Sequence, residues 1–412
     1  MIFALDPLYL SDAPTWKVLV ITLLFKVLVA FAALLVSVML MIWWERKFIG
    51  AMQNRIGPNR AGPLGMLQTL ADGIKLFFKE DLIPEKSDRF VFKLAPYLSL
   101  VPAFLVFTVI PIAGDFSADG DGTVSMLGER TFLQVADPHI GILFVLAMSS
   151  VAVYGVMLAG WSSGSKYPLL GSVRASAQMV SYEAALGLAL VAVLLQSETL
   201  STHGIALSQI DQNWYLWVTG FVPFIVFFIA TTAELNRPPF DHVEAEQELV
   251  GGFHTEYSSI RFALFFLAEF MNVITMSAVM VTLFFGGPSG PWYPGFLPAW
   301  LMGFLYFFIK LFVFLCVFIW MRGTLPRMRY DQLMDLGWKL LIPLALGWVL
   351  VLAARDVFAD RGFGSTAESF AVLLIGKDGG LKNQFDRPVT PEEIFSLIDV
   401  MPMRMQEMRQ DK

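Results

Sequence analysis

Charged residues are scarce in this chain of 412 residues. Asp, Glu, Lys and Arg make up only 16% of the sequence, whereas hydrophobic residues make up 56%. A soluble globular domain carries about 25% charged residues, so this chain has too little polar surface to cover itself in water. The composition therefore excludes an ordinary soluble domain and predicts an integral membrane protein.

Cysteine and the common cofactor motifs are also missing. Cys316 is the single cysteine, which excludes a disulfide framework and an iron–sulfur cluster held by this chain. Neither G-x-G-x-x-G nor a Walker A sequence occurs, so NADH and ATP binding by those motifs are excluded. The four histidines lie in predicted loops or at span ends, which argues against a haem held between helices. We therefore expect no metal site and no cofactor bound by this chain, and any electron donor would belong to another subunit.

A nucleic-acid partner is not expected either. The net charge is −6, and no basic stripe with interleaved aromatic residues is present.

Eight apolar stretches are long enough to cross about 30 Å of hydrocarbon, which needs roughly 20 residues. Their side chains show no two-residue alternation, so they are predicted to be helices and not barrel strands. The predicted fold is an all-α polytopic membrane protein of about eight transmembrane helices. The predicted spans are 18–44, 94–114, 140–161, 175–195, 214–233, 262–287, 296–320 and 336–354.

The distribution of Lys and Arg predicts the orientation. The loop 45–93 carries nine basic residues, whereas 115–139 carries only Arg130 and 196–213 carries none. Basic loops face the cytoplasm, so the N-terminal segment 1–17 is expected outside. The membrane domain is 18–354, with cytoplasmic loops at 45–93, 162–174, 234–261 and 321–335. The tail 355–412 is expected outside as well, unless a ninth, half-buried segment near Phe370–Ile375 reverses it, and no role is assigned to the tail.

The stretch 64–79 has helical amphipathicity. Leu70, Ile74 and Phe77 fall on one face, and Asp72 and Lys75 fall on the other. This pattern predicts a cytoplasmic-side helix lying in the membrane interface. A surface helix whose apolar face packs against the protein would show the same pattern.

Charges inside the spans are expensive in lipid, at about 2.5–3.5 kcal/mol or more each. Glu183 and Glu269 lie within predicted spans, and Glu234 ends a third one on the same side. These carboxylates continue into an acidic loop, and together they are typical of a proton path. Alternatively, each carboxylate pairs with a buried base, for which Lys26 and Lys310 are available, and only fixes helix packing.

The acidic loop itself shows like-charge crowding. Asp241, Glu244 and Glu248 share one face of a hypothetical helix. Because like charges disfavour ionisation, some of them are expected to be protonated near neutral pH.

Several longer motifs, in order, resemble one known family. It is the family of the quinone-chamber subunit of respiratory complex I, which includes the H subunit of bacterial NADH–quinone oxidoreductase and the mitochondrial NADH dehydrogenase subunit one. The resemblance covers about residues 15–354. The motifs are Glu45-Arg46-Lys47, Arg55-Ile56-Gly57-Pro58-Asn59-Arg60, Ala71-Asp72-Gly73-Ile74-Lys75-Leu76, Ser181-Tyr182-Glu183, Glu234-Leu235-Asn236-Arg237-Pro238-Pro239-Phe240-Asp241, Glu244-Ala245-Glu246, Glu248-Leu249-Val250, Thr255-Glu256-Tyr257, Arg322-Gly323-Thr324-Leu325-Pro326-Arg327 and Tyr330-Asp331-Gln332-Leu333-Met334.

The resemblance implies a role in redox-driven proton pumping. A ubiquinone or menaquinone would enter from the lipid between the first helix, the amphipathic helix and the sixth helix. The residues implied at the quinone chamber are Glu45, Arg46, Arg55, Arg60, Asp72, Lys75, Arg237 and Asp241. The residues implied on the proton path are Glu183, Glu234, Glu244, Glu246, Glu248, Glu256 and Glu269.

The family also implies the assembly. The chain would be inactive on its own, joined to peripheral quinone-site and iron–sulfur subunits and to antiporter-like subunits of the membrane arm. Partner subunits would carry the iron–sulfur clusters and FMN, in a bacterial cytoplasmic (inner) membrane. A related subunit of a membrane-bound hydrogenase, or of another ferredoxin- or coenzyme-linked complex, is the alternative. A transporter that uses the carboxylates directly is a third hypothesis.

Overall fold

The computed structural model describes residues 6–10, 14–117, 120–242, 246–293, 297–360, 372–375 and 381–385. Its internal contacts divide the chain into two units, Met1–Leu352 and Ala353–Lys412. The described part of the first unit is mainly helical, and the described part of the second unit contains a helix end and a β-hairpin.

Helices dominate the described residues, as the composition predicts. In chain order they are α1 (Pro7–Leu10), α2 (Thr15–Met52), α3 (Gln68–Phe77), α4 (Arg89–Phe107), α5 (Gly141–Ser162), α6 (Lys166–Ser197), α7 (Thr202–Gln212), α8 (Tyr215–Val218), α9 (Phe221–Glu234), α10 (Glu246–Leu249), α11 (Ser259–Phe284), α12 (Ala299–Thr324) and α13 (Tyr330–Val357), the helical backbone of the last continuing to Asp360. Within α2 and α13 the segments Ile21–Leu28 and Leu336–Leu341 are π-helical. Short 3₁₀ turns occur at Pro63–Gly65 and Gly252–His254.

Seven of the described helices are long and apolar enough to cross a membrane. They are α2, α4, α5, α6, α11, α12 and α13. The predicted all-α polytopic fold is thereby confirmed, and these seven correspond to seven of the eight predicted spans.

The remaining predicted span, 214–233, is divided into two helices. α8 ends at Val218, and α9 begins at Phe221 with 14 residues, which span about 21 Å at 1.5 Å per residue. The break lies at Gly220, which adopts a φ of +72° that other residues rarely adopt. A Cβ there would also lie 2.9 Å from the Trp348 ring. A local backbone requirement therefore interrupts a stretch that hydropathy alone presents as continuous.

Several helices extend beyond their predicted spans. α6 has 32 residues, about 48 Å, and begins nine residues before the predicted start at 175. The predicted loop 162–174 is therefore mostly helical, and only residues 163–165 connect α5 to α6. The prediction of that loop was wrong because its bounds were the ends of the apolar stretches, whereas the helix continues through Lys166 and Arg174 beyond the apolar stretch.

The helix α11 lies at the centre of the first unit. In its most apolar stretch of 18 residues 72% of the residues are buried, whereas the corresponding share is 22% in α2 and in α13. Large buried side chains from other helices, such as Phe227 and Phe307, belong to the same core as Ile274 of α11. α4 and α5 approach closely at Gly155, where an added Cβ would lie 2.2 Å from the Ser99 hydroxyl. Dispersion and close packing, and not a hydrophobic driving force, hold such helices together in lipid.

Two β-hairpins complete the described structure. β1 (Thr123–Met126) pairs antiparallel with β2 (Glu129–Phe132), with Thr123 opposite Phe132. Lys17 of α2 forms an ion pair with Glu129 at 2.9 Å, so this hairpin marks the end of the bundle where α2 begins. We call that end the hairpin side, and the end where α2 approaches α3 the α3 side.

The second hairpin lies in the other unit. β3 (Val372–Ile375) pairs antiparallel with β4 (Leu381–Phe385), with Val372 opposite Phe385. The suggestion of a ninth membrane segment near Phe370–Ile375 was therefore wrong for Val372–Ile375, because a four-residue strand does not cross a bilayer.

The amphipathic helix α3 is present, and its apolar face is turned away from the described residues. Leu70, Ile74 and Phe77 are 46%, 49% and 70% exposed. Asp72 on the polar face instead forms an ion pair with Arg46 of α2 at 2.7 Å. The exposed apolar face favours a helix lying in the membrane interface over one that packs this face against its own chain.

Candidate functional site

A buried ion cluster joins four separate parts of the chain at the α3 side. Arg237, in the loop after α9, lies 3.3 Å from both carboxylate oxygens of Glu45 on α2 and 3.2 Å from Glu269 on α11. Arg322 at the end of α12 forms an ion pair with the same Glu45. The Arg237 guanidinium also lies 4.7 Å from the centre of the Phe270 ring. We call Glu45, Arg237, Glu269 and Arg322 the ion cluster.

The ion cluster is shielded from solvent at its centre. Arg237 and Glu45 are only 4% and 5% exposed. Buried charges of this kind must be paired, and removal of one partner typically costs about 3–5 kcal/mol. The cluster therefore couples the positions of α2, α11, α12 and the loop after α9.

Gln178 of α6 fixes the loop that carries Arg237. Its Nε2 donates to the carbonyls of Ala233 at 2.7 Å and Phe240 at 2.9 Å, and to the side chain of Asn236 at 3.2 Å. Gln178 is fully buried. This single amide closes both ends of the loop around Arg237, so the arginine is held by its backbone as well as by its ion pairs.

Two carboxylates lie deeper in the bundle, on neighbouring helices. Glu183 of α6 accepts a hydrogen bond from Ser150 of α5. Glu234 at the end of α9 lies within hydrogen-bonding reach of Ser149 and interacts electrostatically with Glu183. One carboxylate oxygen of Glu234 is buried without a hydrogen-bond partner among the described residues. Two adjacent serines of α5 thus form hydrogen bonds with two neighbouring carboxylates.

One cavity connects the ion cluster to Glu234, and a second lies beside Glu234. A cavity of about 70 Å³ is lined by Glu269, Glu234, Asn236, Asn272 and His254. A smaller one of about 20 Å³ is lined by Glu234, Asn272 and Ser149. A buried water needs about 10–15 Å³ and polar partners, so the first cavity has room for several waters and the second for one.

His254 in this wall lies in the loop before α11, and burial lowers its pKa to about 4. Near neutral pH this histidine is therefore uncharged.

Glu269 and Glu234 are therefore separated by a cavity with room for water, and Glu183 interacts electrostatically with Glu234. Such spacing can carry protons between carboxyl groups if waters fill the gaps, because each water can hydrogen-bond to the next polar group.

α3 is tied to both of its neighbours near the ion cluster. Besides the Arg46–Asp72 pair, the Trp43 indole donates to the carbonyl of Leu64 at 3.1 Å. On the other side, the Ser259 hydroxyl of α11 donates to the carbonyls of Leu76 at 3.0 Å and Lys79 at 2.7 Å. The spanning helix α2, the amphipathic helix α3 and α11 thus meet. They correspond to the first, amphipathic and sixth helices between which the family resemblance implies that quinone enters.

Six of the eight residues assigned to the chamber lie outside the ion cluster. Arg46 pairs with Asp72, Asp241 pairs with Arg327, and three others are exposed. Arg55, Arg60 and Lys75 are exposed on the α3 side, and Arg55 donates to Gln53 at 2.7 Å.

The acidic loop does not behave as the sequence predicted. Asp241 forms an ion pair with Arg327 at 3.0 Å, and Glu248 forms one with Arg174 at 2.7 Å. The hydrogen bond from Arg174 lowers the pKa of Glu248. The expected protonation near neutral pH was therefore wrong for Glu248, because arginines from distant parts of the chain neutralise the loop. The shared helical face was wrong too, since Asp241 is not part of a helix.

Less is described of the other acids of this loop. Glu244 lies outside the described residues, and of Glu246 only the helical backbone is described. Glu256 is half-buried, and among the described residues it forms no ion pair.

The two intramembrane lysines do not neutralise the carboxylate row. Lys26 forms a buried ion pair with Asp6 of the N-terminal segment. The Lys310 ammonium donates to the carbonyls of Phe285, Gly287 and Ser289, which follow the end of α11, at 2.6, 2.9 and 2.6 Å. The packing alternative named these lysines as partners of the carboxylates, and the geometry assigns them elsewhere. The base that does pair with Glu269 is Arg237.

Four positions that complete the site were not singled out as site residues from the sequence. They are Ser149, Ser150, Gln178 and Arg322. Arg322 belongs to a recognised motif, so its charge at a span end was an available signal. The serines and Gln178 give no signal in one dimension, because their role depends on which helices neighbour theirs.

Comparisons with known proteins place the chain among named relatives. A family model described as NADH dehydrogenase matches residues 25–353. A protein of Frankia casuarinae, named as the H subunit of NADH-quinone oxidoreductase, is 49% identical over 386 residues, which is 91% of this chain and 82% of that protein. Its namesake from Frankia alni is 50% identical over the same shares, and that from Streptomyces avermitilis is 49% identical over 89% of this chain and 78% of its own length.

The tail has a match of its own. A model described as Domain of unknown function (DUF4174) matches residues 359–407. These residues were left without a role by the sequence, and the family description gives none.

Proposed function

Because the chain belongs to the NADH dehydrogenase family, we propose that it is the membrane subunit of a proton-pumping NADH–quinone oxidoreductase that forms part of the quinone chamber and starts the proton path. It acts only within that complex. The relatives named as the H subunit of NADH-quinone oxidoreductase favour this function over a hydrogenase-type complex and over a transporter.

The observation that carries the proposal is the ion cluster. Glu45 belongs to the same helix turn as Arg46, which lies beside α3 where the quinone would enter. Glu269, at the other end of the cluster, lines the cavity that leads to Glu234. A charge change near Arg46 is felt through Glu45 and Arg237 by Glu269, because at an effective dielectric constant of 20 two charges 4 Å apart interact by about 4 kcal/mol.

The chain's own residues have three tasks in this function. The exposed apolar face of α3 and the neighbouring surface of α2 admit an isoprenoid tail from the lipid. Arg46, and the exposed Arg55 and Arg60, supply positive charge where the head group passes and where a peripheral subunit would dock. Glu269 exchanges protons with Glu234 through the cavity that both residues line, and Glu234 exchanges them with the neighbouring Glu183.

The proposal includes an orientation and partners. The α3 side, which carries most loop Lys and Arg, faces the cytoplasm of a bacterial cell, and the N-terminus lies outside the cytoplasmic membrane. Peripheral quinone-site and iron–sulfur subunits bind at the α3 side and hold the clusters and FMN, while antiporter-like subunits continue the membrane arm. This chain binds quinone as substrate and holds no cofactor of its own.

The test compares Glu183 in the middle of α6 with Glu198 at its C-terminal cap. Glu183→Gln keeps an acceptor for Ser150 and removes the titratable group, so we expect the complex to assemble but to lose several-fold in proton translocation. Glu198→Gln, at the exposed far end of the same helix, should pump as the wild type does. Assembled complex is purified, reconstituted in vesicles and assayed for NADH-driven quinone reduction and for the pH gradient. Wild-type reduction and wild-type pumping in Glu183→Gln would remove this residue from the path.

A further inference from the structure

A large apolar cavity lies on the hairpin side, away from the ion cluster. It encloses about 490 Å³, the size of many ligand sites. Its walls are α2 from Phe25 to Ala33, α12 from Trp300 to Phe308, the chain after α4, and the β1–β2 hairpin. Each helical wall covers about 12 Å at 1.5 Å per residue.

None of the residues assigned to the chamber or the proton path lines this cavity. Ala33, at the far end of its α2 wall, precedes Trp43 by ten residues, which is about 15 Å along the helix. The cavity is therefore separate from the region where α2 meets α3.

The helices that form the walls face lipid on either side of the cavity. Leu28 and Phe31 of α2 are 57% and 49% exposed, and Leu305 and Ile309 of α12 are 41% and 60% exposed. Both helices are membrane spans, so hydrocarbon surrounds these side chains. An apolar cavity between two such faces is filled most readily by the hydrocarbon chain of a surrounding lipid.

One polar group in the wall has an unmet hydrogen bond. Gln134, only 3% exposed, lines the cavity. Its Nε2 donates to the Ala136 carbonyl at 3.3 Å and interacts with the Asp137 carboxylate, which sets the orientation of the amide. Its Oε1 is buried and has no partner among the described residues. Leaving such an acceptor unmet costs about 1–3 kcal/mol, so an occupant that carries a donor is favoured.

We propose that this cavity binds one membrane phospholipid, whose acyl chain lies between α2 and α12 and whose head group donates a hydrogen bond to Gln134. A phosphatidylethanolamine ammonium or a phosphatidylglycerol hydroxyl has the required donor, whereas phosphatidylcholine has none. Trp300 at the start of α12 lines the same cavity, and tryptophan is enriched at the membrane–water interface where a head group lies.

The test uses the intact complex purified from membranes and phospholipids with a photoreactive diazirine in one acyl chain. After irradiation, mass spectrometry maps adducts on this chain. Phosphatidylethanolamine should label the Phe25–Ala33 and Trp300–Phe308 walls. Ala33→Phe fills the cavity and should reduce this labelling several-fold, while Ala32→Phe, on the neighbouring exposed position, should leave it unchanged. Assembly and NADH–quinone activity of both variants should match the wild type.

Two further probes identify the occupant. Phosphatidylcholine with the same diazirine chain should label the cavity less than phosphatidylethanolamine does, and Gln134→Leu should remove the difference. A diazirine-tailed quinone should label the α3 side and not this cavity.

Other outcomes would overturn the proposal. They are an unlabelled cavity in the wild-type complex, equal labelling in Ala33→Phe, equal labelling of the wild type by the two phospholipids, or labelling by the quinone alone. If Ala33→Phe does not assemble, the wild-type map and the Gln134→Leu comparison still decide.

Discussion

The two sides of the bundle treat buried charge in different ways. On the hairpin side each buried lysine has fixed partners. Lys26 is paired with Asp6, which also accepts from Thr131 at 3.1 Å, and Lys310 is surrounded by three backbone carbonyls. On the α3 side, Arg237 is shared between two carboxylates, and Glu45 is shared between two arginines.

The difference indicates that the buried charges of the hairpin side stabilise the fold, whereas those of the α3 side can take part in the chemistry. A charge with one fixed set of partners has one low-energy arrangement and holds the fold in place. A charge shared between partners, next to cavities large enough for water and a carboxylate oxygen without a partner, can exchange its partners when a neighbouring charge changes. Only the α3 side has this property among the described residues, and it is where the family resemblance places the quinone.

The largest expected effect comes from removing the shared cation. Arg237→Met leaves Glu45 and Glu269 without the guanidinium that they share. This should destabilise the folded chain by about 3–5 kcal/mol. We expect little assembled complex on native gels and little NADH–quinone activity in membranes.

A matched variant on the hairpin side provides the control. Arg130 pairs with Asp121 at 3.2 Å, and its side chain is 74% exposed. Exposed pairs contribute about 0–1 kcal/mol, so Arg130→Met should assemble normally. Equal loss in both variants would show that any arginine removal disturbs the chain, and the comparison between the two sides would fail.

A smaller effect is expected from the pH dependence of His254. Burial lowers its pKa from 6.5 to about 4, so an opened segment takes up a proton more readily than the folded one. The stabilisation is fully present above pH 6.5 and is lost as the pH falls towards 4, by up to about 1.4 kcal/mol per unit. Hydrogen exchange of the 252–258 amides, corrected for the intrinsic pH effect, should therefore become faster as the pH is lowered from 7 to 5.

His254→Phe should remove most of that acceleration, and the exposed His139→Phe should keep it. An unchanged pH response in His254→Phe would assign the effect to another group.

The smallest effect is expected from the pair between α2 and α3. Arg46 and Asp72 have side chains 43% and 40% exposed, so Arg46→Ala should cost less than about 1 kcal/mol of stability. Because the guanidinium lies where the quinone head group would pass, the apparent KM for a short-chain quinone should rise while assembly is retained. An unchanged KM would leave Arg46 only the task of tying α3 to α2.

The sequence predicted the membrane fold well because the cost of burying polar groups in lipid acts on each span separately. Seven spans were found by length and hydropathy alone. The break at Gly220 was missed because it depends on the backbone conformation of one residue and on its contact with Trp348, 128 positions away in the chain. The 166–174 part of α6 was missed because the predicted helix was limited to the apolar stretch that begins at 175.

Only part of the membership of the site was predictable. Glu183, Glu234 and Glu269 stand out as acids in or beside apolar spans, and the family motifs point to Glu45 and Arg237. Their pairing could not be deduced, because Glu45 and Arg237 are 192 positions apart. The acidic loop was misjudged for the same reason, since Arg174 lies 74 positions from Glu248.

The most direct test of the account is proton translocation by an assembled complex that carries Glu234→Gln. It is compared with the double variant Asp6→Asn with Lys26→Met, which replaces the buried pair on the hairpin side by uncharged groups of similar size. Reconstituted vesicles are assayed for the NADH-driven pH gradient, with NADH oxidation by a soluble acceptor as the control for the electron-input subunits. We predict that Glu234→Gln loses most of the gradient and that the double variant retains it. A wild-type gradient in Glu234→Gln, or its loss in an assembled double variant, would contradict the account.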